Sequence, residues 1–347
     1  MLPNGRRLGA HLPLGRGMVR AADRAAEIGA SAIQVFSDNP TAWRRRPGLP
    51  RELPAFRARL AEHDITPLSI HAPYLVNLAG PDPEVFEQSV AVLANELAVA
   101  AAYGAALVNV HIGSHRGTGP EAGAARVSEG LVRVQQALEG PARDVTLVLE
   151  IGAGSGHGFG STVEELRLIH EAAGAAGVDL TWLGFCLDTA HAWGAGYGLD
   201  TAAGVDALLE EFDREIGLSR LRLVHLNDSR ADRGSHQDRH EHIGGGRIGT
   251  AGLRRLLEHP GLAGVPYILE TPGMDDGWDA VNLARAWDIA EGRPLAELPP
   301  EAFSVRSARD RSAPAPDHDG LESRVEGCEP SAPARDRQVG RAAAADA

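Results

Sequence analysis

The chain has 347 residues, with 34 Lys and Arg against 47 Asp and Glu, a formal net charge of −13. That balance argues against a broad basic surface for nucleic acid, although bound metal cations can create a local positive site on an acidic protein. An apolar fraction of 43% with 23% charged residues excludes global disorder, collagen and coiled coil.

Short apolar runs alternate with longer helical patterns along the chain. In order, strands are expected at 8–11, 32–36, 68–70, 107–111, 146–150, 183–188, 221–226 and 266–270. Helices are expected between or after them at 18–28, 51–63, 83–103, 121–139, 163–172, 201–216, 253–258 and 278–290. Runs such as Leu147-Val148-Leu149 lack alternation, as strands covered on both faces do. Eight strands each followed by a helix is the pattern of a single α/β (β/α)8 TIM barrel. An open doubly wound sheet is the runner-up, weakened because no Gly-x-Gly-x-x-Gly follows the first strand. The barrel domain is expected over residues 1–298. From 299 to 347 only Phe303, Val305, Leu321, Val325 and Val339 are large apolars. Too little surface can be buried there to offset ordering entropy, so a disordered tail is expected, with a short docked piece around Phe303.

No stretch approaches the ~20 apolar residues of a membrane span, and the N-terminus has no signal-peptide apolar run. Cys186 lies in an apolar run and Cys328 in a polar one, so no disulfide framework is expected. A cytoplasmic protein without membrane association follows, and a monomer is expected.

From the third strand onward, each strand ends in a residue able to bind metal: His71, His111, Glu150, Asp188, His225 and Glu270, spaced 37 to 45 residues apart. In a barrel these ends share one rim, where the active sites of this fold lie. Any one of them, taken alone, is more often a hydrogen-bonded core or rim residue than a ligand. Six in register are not independent accidents. Glu150, Asp188 and Glu270 converging without a cation would repel one another, and mixed imidazole and carboxylate suits zinc, manganese or iron. His191 follows Asp188 by about one turn, and Asp238 and His240 project together at i and i+2 in the loop after the seventh strand. By itself that loop reads as a solvated polar Ω-loop. The glycine-rich run at 152–161 matches no P-loop.

The segments SIHAPYLVNLAGPD, VNVHIGSH, CLDTAHAWGAGYGLD, VHLNDSR, DRHEHIGGGRIG and ILETP together resemble the endonuclease IV family of apurinic/apyrimidinic endonucleases, over roughly residues 8–290. The resemblance implies a (β/α)8 barrel with three zinc ions, manganese also being compatible at one site. It implies hydrolysis of the phosphodiester 5′ to an abasic site in duplex DNA, leaving a 3′-hydroxyl and a 5′-deoxyribose phosphate. By motif, His71 and His111 would hold the first metal, with Glu150 bridging to the second. Asp188, His225 and Glu270 would complete the second, and His191, Asp238 and His240 would hold the third. Glu270 and Glu150 are the implied catalytic carboxylates, Glu270 also orienting the attacking water. Tyr74 and Leu75 match the position from which family members push side chains into the DNA stack. In the loop after the second strand the family's inserting Arg is replaced by Thr41, followed by Arg44, Arg45 and Arg46, which read as a solvated run. Ile151-Gly152 also departs from the polar residues usual after that Glu. His11 and His115 are supporting partners of the ligands or bystanders.

The competing reading is a single-metal sugar isomerase or epimerase of the xylose-isomerase-like superfamily, which resembles this chain at Glu150, Asp188, His225 and Glu270 only. A lesion-binding protein without turnover is the non-enzymatic alternative.

Overall fold

The structure, a computed structural model, describes residues 1–304 except Pro3. Its strands in chain order are β1 (Leu8–His11), β2 (Ala32–Val35), β3 (Leu68–His71), β4 (Leu107–His111), β5 (Thr146–Glu150), β6 (Leu183–Asp188), β7 (Leu221–His225), the short β8 (Asp228–Ser229) and β9 (His240–Glu241), and β10 (Tyr267–Leu269). Strands β1 to β7 and β10 are parallel and close into a barrel, Leu8 of β1 lying opposite Tyr267 of β10. Closure rules out the open-sheet alternative. Outside the wall pack α1 (Met18–Glu27), α2 (Leu53–Glu62), α3 (Pro83–Tyr103), α4 (Pro120–Ala137) and α5 (Val163–Ala175). A short α6 (Thr189–Ala195) follows β6 directly, and α7 (Ala202–Glu215), α8 (Gly249–Glu258) and α9 (Trp278–Ala290) complete the ring.

The wall separates two apolar groups, because successive strand side chains point to opposite faces. Ile33, Val35, Ile70, Val108, Val110, Leu147 and Leu149 belong to the large core shared with the helices. Ala32, Leu107, Val148, Cys186, Leu223 and Ile268 form a second, smaller cluster, on the alternate positions that fill the barrel interior. Gly9 has no side chain for a packing reason: a Cβ there would sit 1.8 Å from Ala32 O on the neighbouring strand.

Some features escaped the sequence pattern. The pair β8–β9 and helix α6 are too short for a periodic signal. Helix α8 starts one turn before the expected 253, because Asp228, distant in sequence, accepts the Ile248 and Gly249 N–H groups at 2.9 and 3.3 Å. Helix α3 is, contrary to expectation, long and apolar enough to cross a membrane by length and composition alone. It packs instead on α4 and the barrel wall and buries the carboxylate of Glu96. After α9 the chain packs beside α8 and α9 and reaches a 3-10 turn at Pro300–Ser304, where Ala302 is buried and accepts a hydrogen bond from His242 Nε2 at 3.0 Å. The remainder of the expected tail, 305–347, lies outside the described residues.

Candidate metal centre

All nine expected ligand residues stand at the C-terminal mouth of the barrel. Six end, or directly follow, strands β3 to β7 and β10. His191 lies on α6, whose first turn is capped by Asp188 itself, Oδ1 accepting the His191 N–H at 2.8 Å. The β8–β9 pair folds the loop after β7 back over the mouth, Asp228 facing Glu241 and Ser229 facing His240. Asp238 and His240 therefore come from a built hairpin rather than a solvated loop.

Three sets of ligand atoms converge, each within 4.8 Å: His71, His111 and Glu150; Glu150, Asp188, His225 and Glu270; and Asp188, His191 and His240. Asp238 Oδ1 joins the last set, 3.4 Å from His191 Nε2 and 3.2 Å from His240 Nε2. Glu150 belongs to two sets, as expected. Asp188 also belongs to two, its Oδ2 lying 3.8 Å from His225 Nδ1 and 3.6 Å from His240 Nε2. Sequence had assigned it to one.

Second partners decide which ring nitrogen faces inward. Carbonyl oxygens only accept, so Nδ1–H of His71 donates to Ala72 O (2.7 Å), that of His191 to Ile151 O (2.9 Å) and that of His240 to Glu270 O (2.7 Å). Their Nε2 atoms are left for a cation. His225 is reversed: Nε2 contacts Gln34 Oε1 at 3.1 Å and Nδ1 faces the carboxylates. The carboxylates are steered too. Asn109 donates to Glu150 Oε2, and Asn227 Nδ2 donates to Asp188 Oδ2 at 2.8 Å. His11 Nδ1 lies 3.2 Å from Glu270 Oε1, which makes His11 a supporting partner. His115 instead accepts the Gly117 and Gly119 N–H groups in the loop after β4, a structural role. Gln34, Asn109 and Asn227 were missed from sequence. Strand periodicity places Gln34 and Asn109 inside the barrel, and a buried amide there was the signal available.

Buried Glu150 Oε1, His225 Nδ1 and His240 Nε2 have no hydrogen-bond partner among the described residues. Glu150 Oε1 is 3.0 Å from His191 Nδ1, but that proton is directed to Ile151 O. Lone-pair atoms buried without donors are costly, and cations bound by the second and third sets would satisfy all three, so the residues present fit metal. Electrostatics agrees. Burial pushes Glu150 up, but His111 and His225 hold it well below the usual carboxylate range. Burial lowers His240, yet Asp188 and Asp238 raise it to about 9.

Around the mouth, Tyr74 is exposed, with its ring 5.2 Å from Phe36, 5.6 Å from His71 and 6.1 Å from His111. Its N–H donates to Pro40 O at 3.0 Å, tying the loop after β3 to the loop after β2. Leu75 beside it is half-buried. Thr41 is exposed, and its N–H and hydroxyl both bond Asn39 Oδ1 at 2.9 Å. The expected solvated arginine run is corrected at Arg45. Its guanidinium is 3.4 Å from the buried Glu96 carboxylate and binds the carbonyls of Asn39 and Ala42, so it holds the loop from below. The glycine-rich run at 152–161 packs on its neighbours: His115 N–H donates to His157 O, and Ser155 Oγ donates to His236 O.

Residues 22–290 match the family of xylose isomerase-like TIM barrels. A probable endonuclease 4 of Methanoculleus marisnigri is 43% identical over 82% of this chain and 98% of its own length. One of Halothermothrix orenii is 38% identical over 80% of this chain and 99% of its own. The crystal structure of endonuclease IV from Thermus thermophilus superposes with a TM-score of 0.69 at 39% identity, covering 81% of this chain and 98% of that one. A D-tagatose 3-epimerase-like protein, at 17% identity and a TM-score of 0.58 over 82% of this chain and 98% of its own, shares the fold.

Proposed function

Because the chain belongs to the endonuclease IV family of xylose isomerase-like TIM barrels, we propose that it is a metal-dependent apurinic/apyrimidinic endonuclease. It hydrolyses the phosphodiester 5′ to an abasic site in duplex DNA and leaves a 3′-hydroxyl and a 5′-deoxyribose phosphate. His71, His111 and Glu150 hold one zinc ion, Glu150, Asp188, His225 and Glu270 a second, and His191, Asp238 and His240 a third, with manganese compatible at one position. The protein acts as a cytoplasmic monomer.

The observation that carries this reading is the third ligand set. A sugar epimerase with one cation needs Glu150, Asp188, His225 and Glu270. It has no use for five further residues, His71, His111, His191, Asp238 and His240, brought to the same mouth. Phosphodiester hydrolysis does, because charge accumulates on a five-coordinate phosphorus centre. Bound zinc supplies charge neutralisation for the phosphate and lowers the pKa of water towards ~7. The chain's own residues do the rest. Glu270 Oε1 is engaged by Gln34 at 2.7 Å and by His11, which leaves Oε2 towards the cation position, and Glu270 in this reading also orients the attacking water. Glu150, fully buried, fixes the spacing of the first two ligand sets by belonging to both. Tyr74 and Leu75, in the loop beside His71, wedge a base step and hold the abasic sugar outside the helix.

The test is a duplex carrying one tetrahydrofuran abasic site, incubated with and without chelator. Chelator-sensitive nicking 5′ to the site, together with more than two metal ions per chain, is expected. A single ion per chain with sugar epimerisation and intact DNA overturns the reading.

A further inference from the structure

Strands β3 to β7 and β10 each deliver a ligand, whereas β1 and β2 deliver none. The inward residue near the end of β2 is Gln34, wholly buried. We propose that Gln34 is a positioning residue of the metal centre, whose amide selects the nitrogen of His225 and the oxygen of Glu270 that face the cation position these two share. The proposal rests on the metal-centre reading given above.

Three contacts carry it. Gln34 Nε2 donates to Glu270 Oε1 at 2.7 Å. Gln34 Oε1 lies 3.1 Å from His225 Nε2 and accepts from Ser69 Oγ at 3.3 Å. The orientation of the amide follows from its partners. Turned over, it would set its oxygen against the Glu270 carboxylate and its NH2 against the Nε2–H of His225. In the orientation present, the amide oxygen requires the proton of His225 on Nε2. The unprotonated Nδ1 then faces Glu270 Oε2 at 3.1 Å, Glu150 Oε1 at 3.5 Å and Asp188 Oδ2 at 3.8 Å. That atom finds no hydrogen bond among the described residues. The same amide occupies Oε1 of Glu270, so rotation of this carboxylate away from the site means breaking a charge-assisted hydrogen bond. One neutral side chain thus restrains two ligands of one cation without adding charge to a site that already holds four carboxylates, Glu150, Asp188, Asp238 and Glu270. His11, from β1, adds a second restraint on the same Glu270 oxygen.

The variant Gln34→Met keeps the length and removes the amide. Zinc affinity is measured by chelator competition on the full chain, beside melting of the metal-free protein and steady-state nicking of the tetrahydrofuran duplex. Partners of this kind change metal affinity about 10–100-fold. One zinc equivalent is expected to weaken by that factor, and kcat to fall while KM for DNA stays unchanged, because Gln34 lies beneath the site and cannot touch the duplex. Ser69→Ala, which removes one restraint on the amide, is expected to weaken the same zinc equivalent by a smaller factor. If Gln34→Met binds every zinc as tightly as the wild type while its metal-free melting temperature drops, the residue is only packing and the proposal fails. If the wild type binds no zinc under these conditions, it is the metal-centre reading that fails, and this proposal with it.

Discussion

Inside the barrel, two layers two residues apart on the same strands have opposite character. Ala32, Val148, Cys186, Leu223 and Ile268 belong to the apolar lower layer. One inward step further along lie Gln34, Glu150, Asp188, His225 and Glu270. The lower layer is a packed plug that excludes water and holds the wall together. The upper layer gathers carboxylates and an imidazole, among which Glu150 Oε1 and His225 Nδ1 are buried without a hydrogen-bond partner among the described residues, an arrangement that opposes folding until cations fill it. The contrast shows how the fold divides its labour: stability comes from one layer, and the chemistry rests on the layer above it.

Substitutions in the two layers should therefore fail in different ways. The largest effect is expected at the ligands that the hairpin β8–β9 adds above the upper layer. Asp238→Ala with His240→Ala should remove about one metal per chain and reduce nicking by orders of magnitude, with the metal-free melting temperature held. Metal analysis and circular dichroism check this, and a full metal complement in the double variant would break the contrast. In the lower layer, Leu223→Ala removes a fully buried side chain and should cost about 2–5 kcal/mol in denaturant unfolding. Zinc stoichiometry should stay as in the wild type, and metal loss at unchanged stability would show that the layers are not separable.

Above both layers, Tyr74→Ala with Leu75→Ala should weaken abasic-DNA binding by about 1–3 kcal/mol per lost contact, leaving metal content intact. Unchanged affinity in a folded variant would assign both side chains to rim packing. The smallest effect is expected outside the barrel interior. Ala302→Asp places a charge where the chain packs beneath His242. It should lower the melting temperature by about 2–4 °C for each kcal/mol lost without changing zinc binding.

Much of the barrel was legible because its strands and outer helices carry their own periodicity. The strand ranges at 8–11, 107–111, 146–150 and 183–188 coincide with β1, β4, β5 and β6. Features set by distant partners were not legible. The start of α8 depends on Asp228, twenty residues away. The arginine run read as solvated contains Arg45, which is drawn inward by Glu96 on α3. Hairpin β8–β9 exists because a two-residue ladder is supported by the barrel mouth, and such a ladder leaves no alternation to read.

At the site, sequence alone determined which residues meet. One metal-capable side chain per βα unit, always at the strand end, places six of them around one mouth in any (β/α)8 barrel. What only the tertiary structure decided is how they meet. Histidine carries two nitrogens and a carboxylate two oxygens, and nothing along the chain distinguishes the atoms of such a pair. Ala72, Ile151 and Glu270 carbonyls turn three rings one way, and Gln34 turns His225 the other. Asp188 reaches two ligand sets because α6 and β9 bring His191 and His240 to it. Apart from the His71–Ala72 contact between neighbours, those choices are made by hydrogen bonds between residues 30 to 191 positions apart, and they exist only once the barrel has closed.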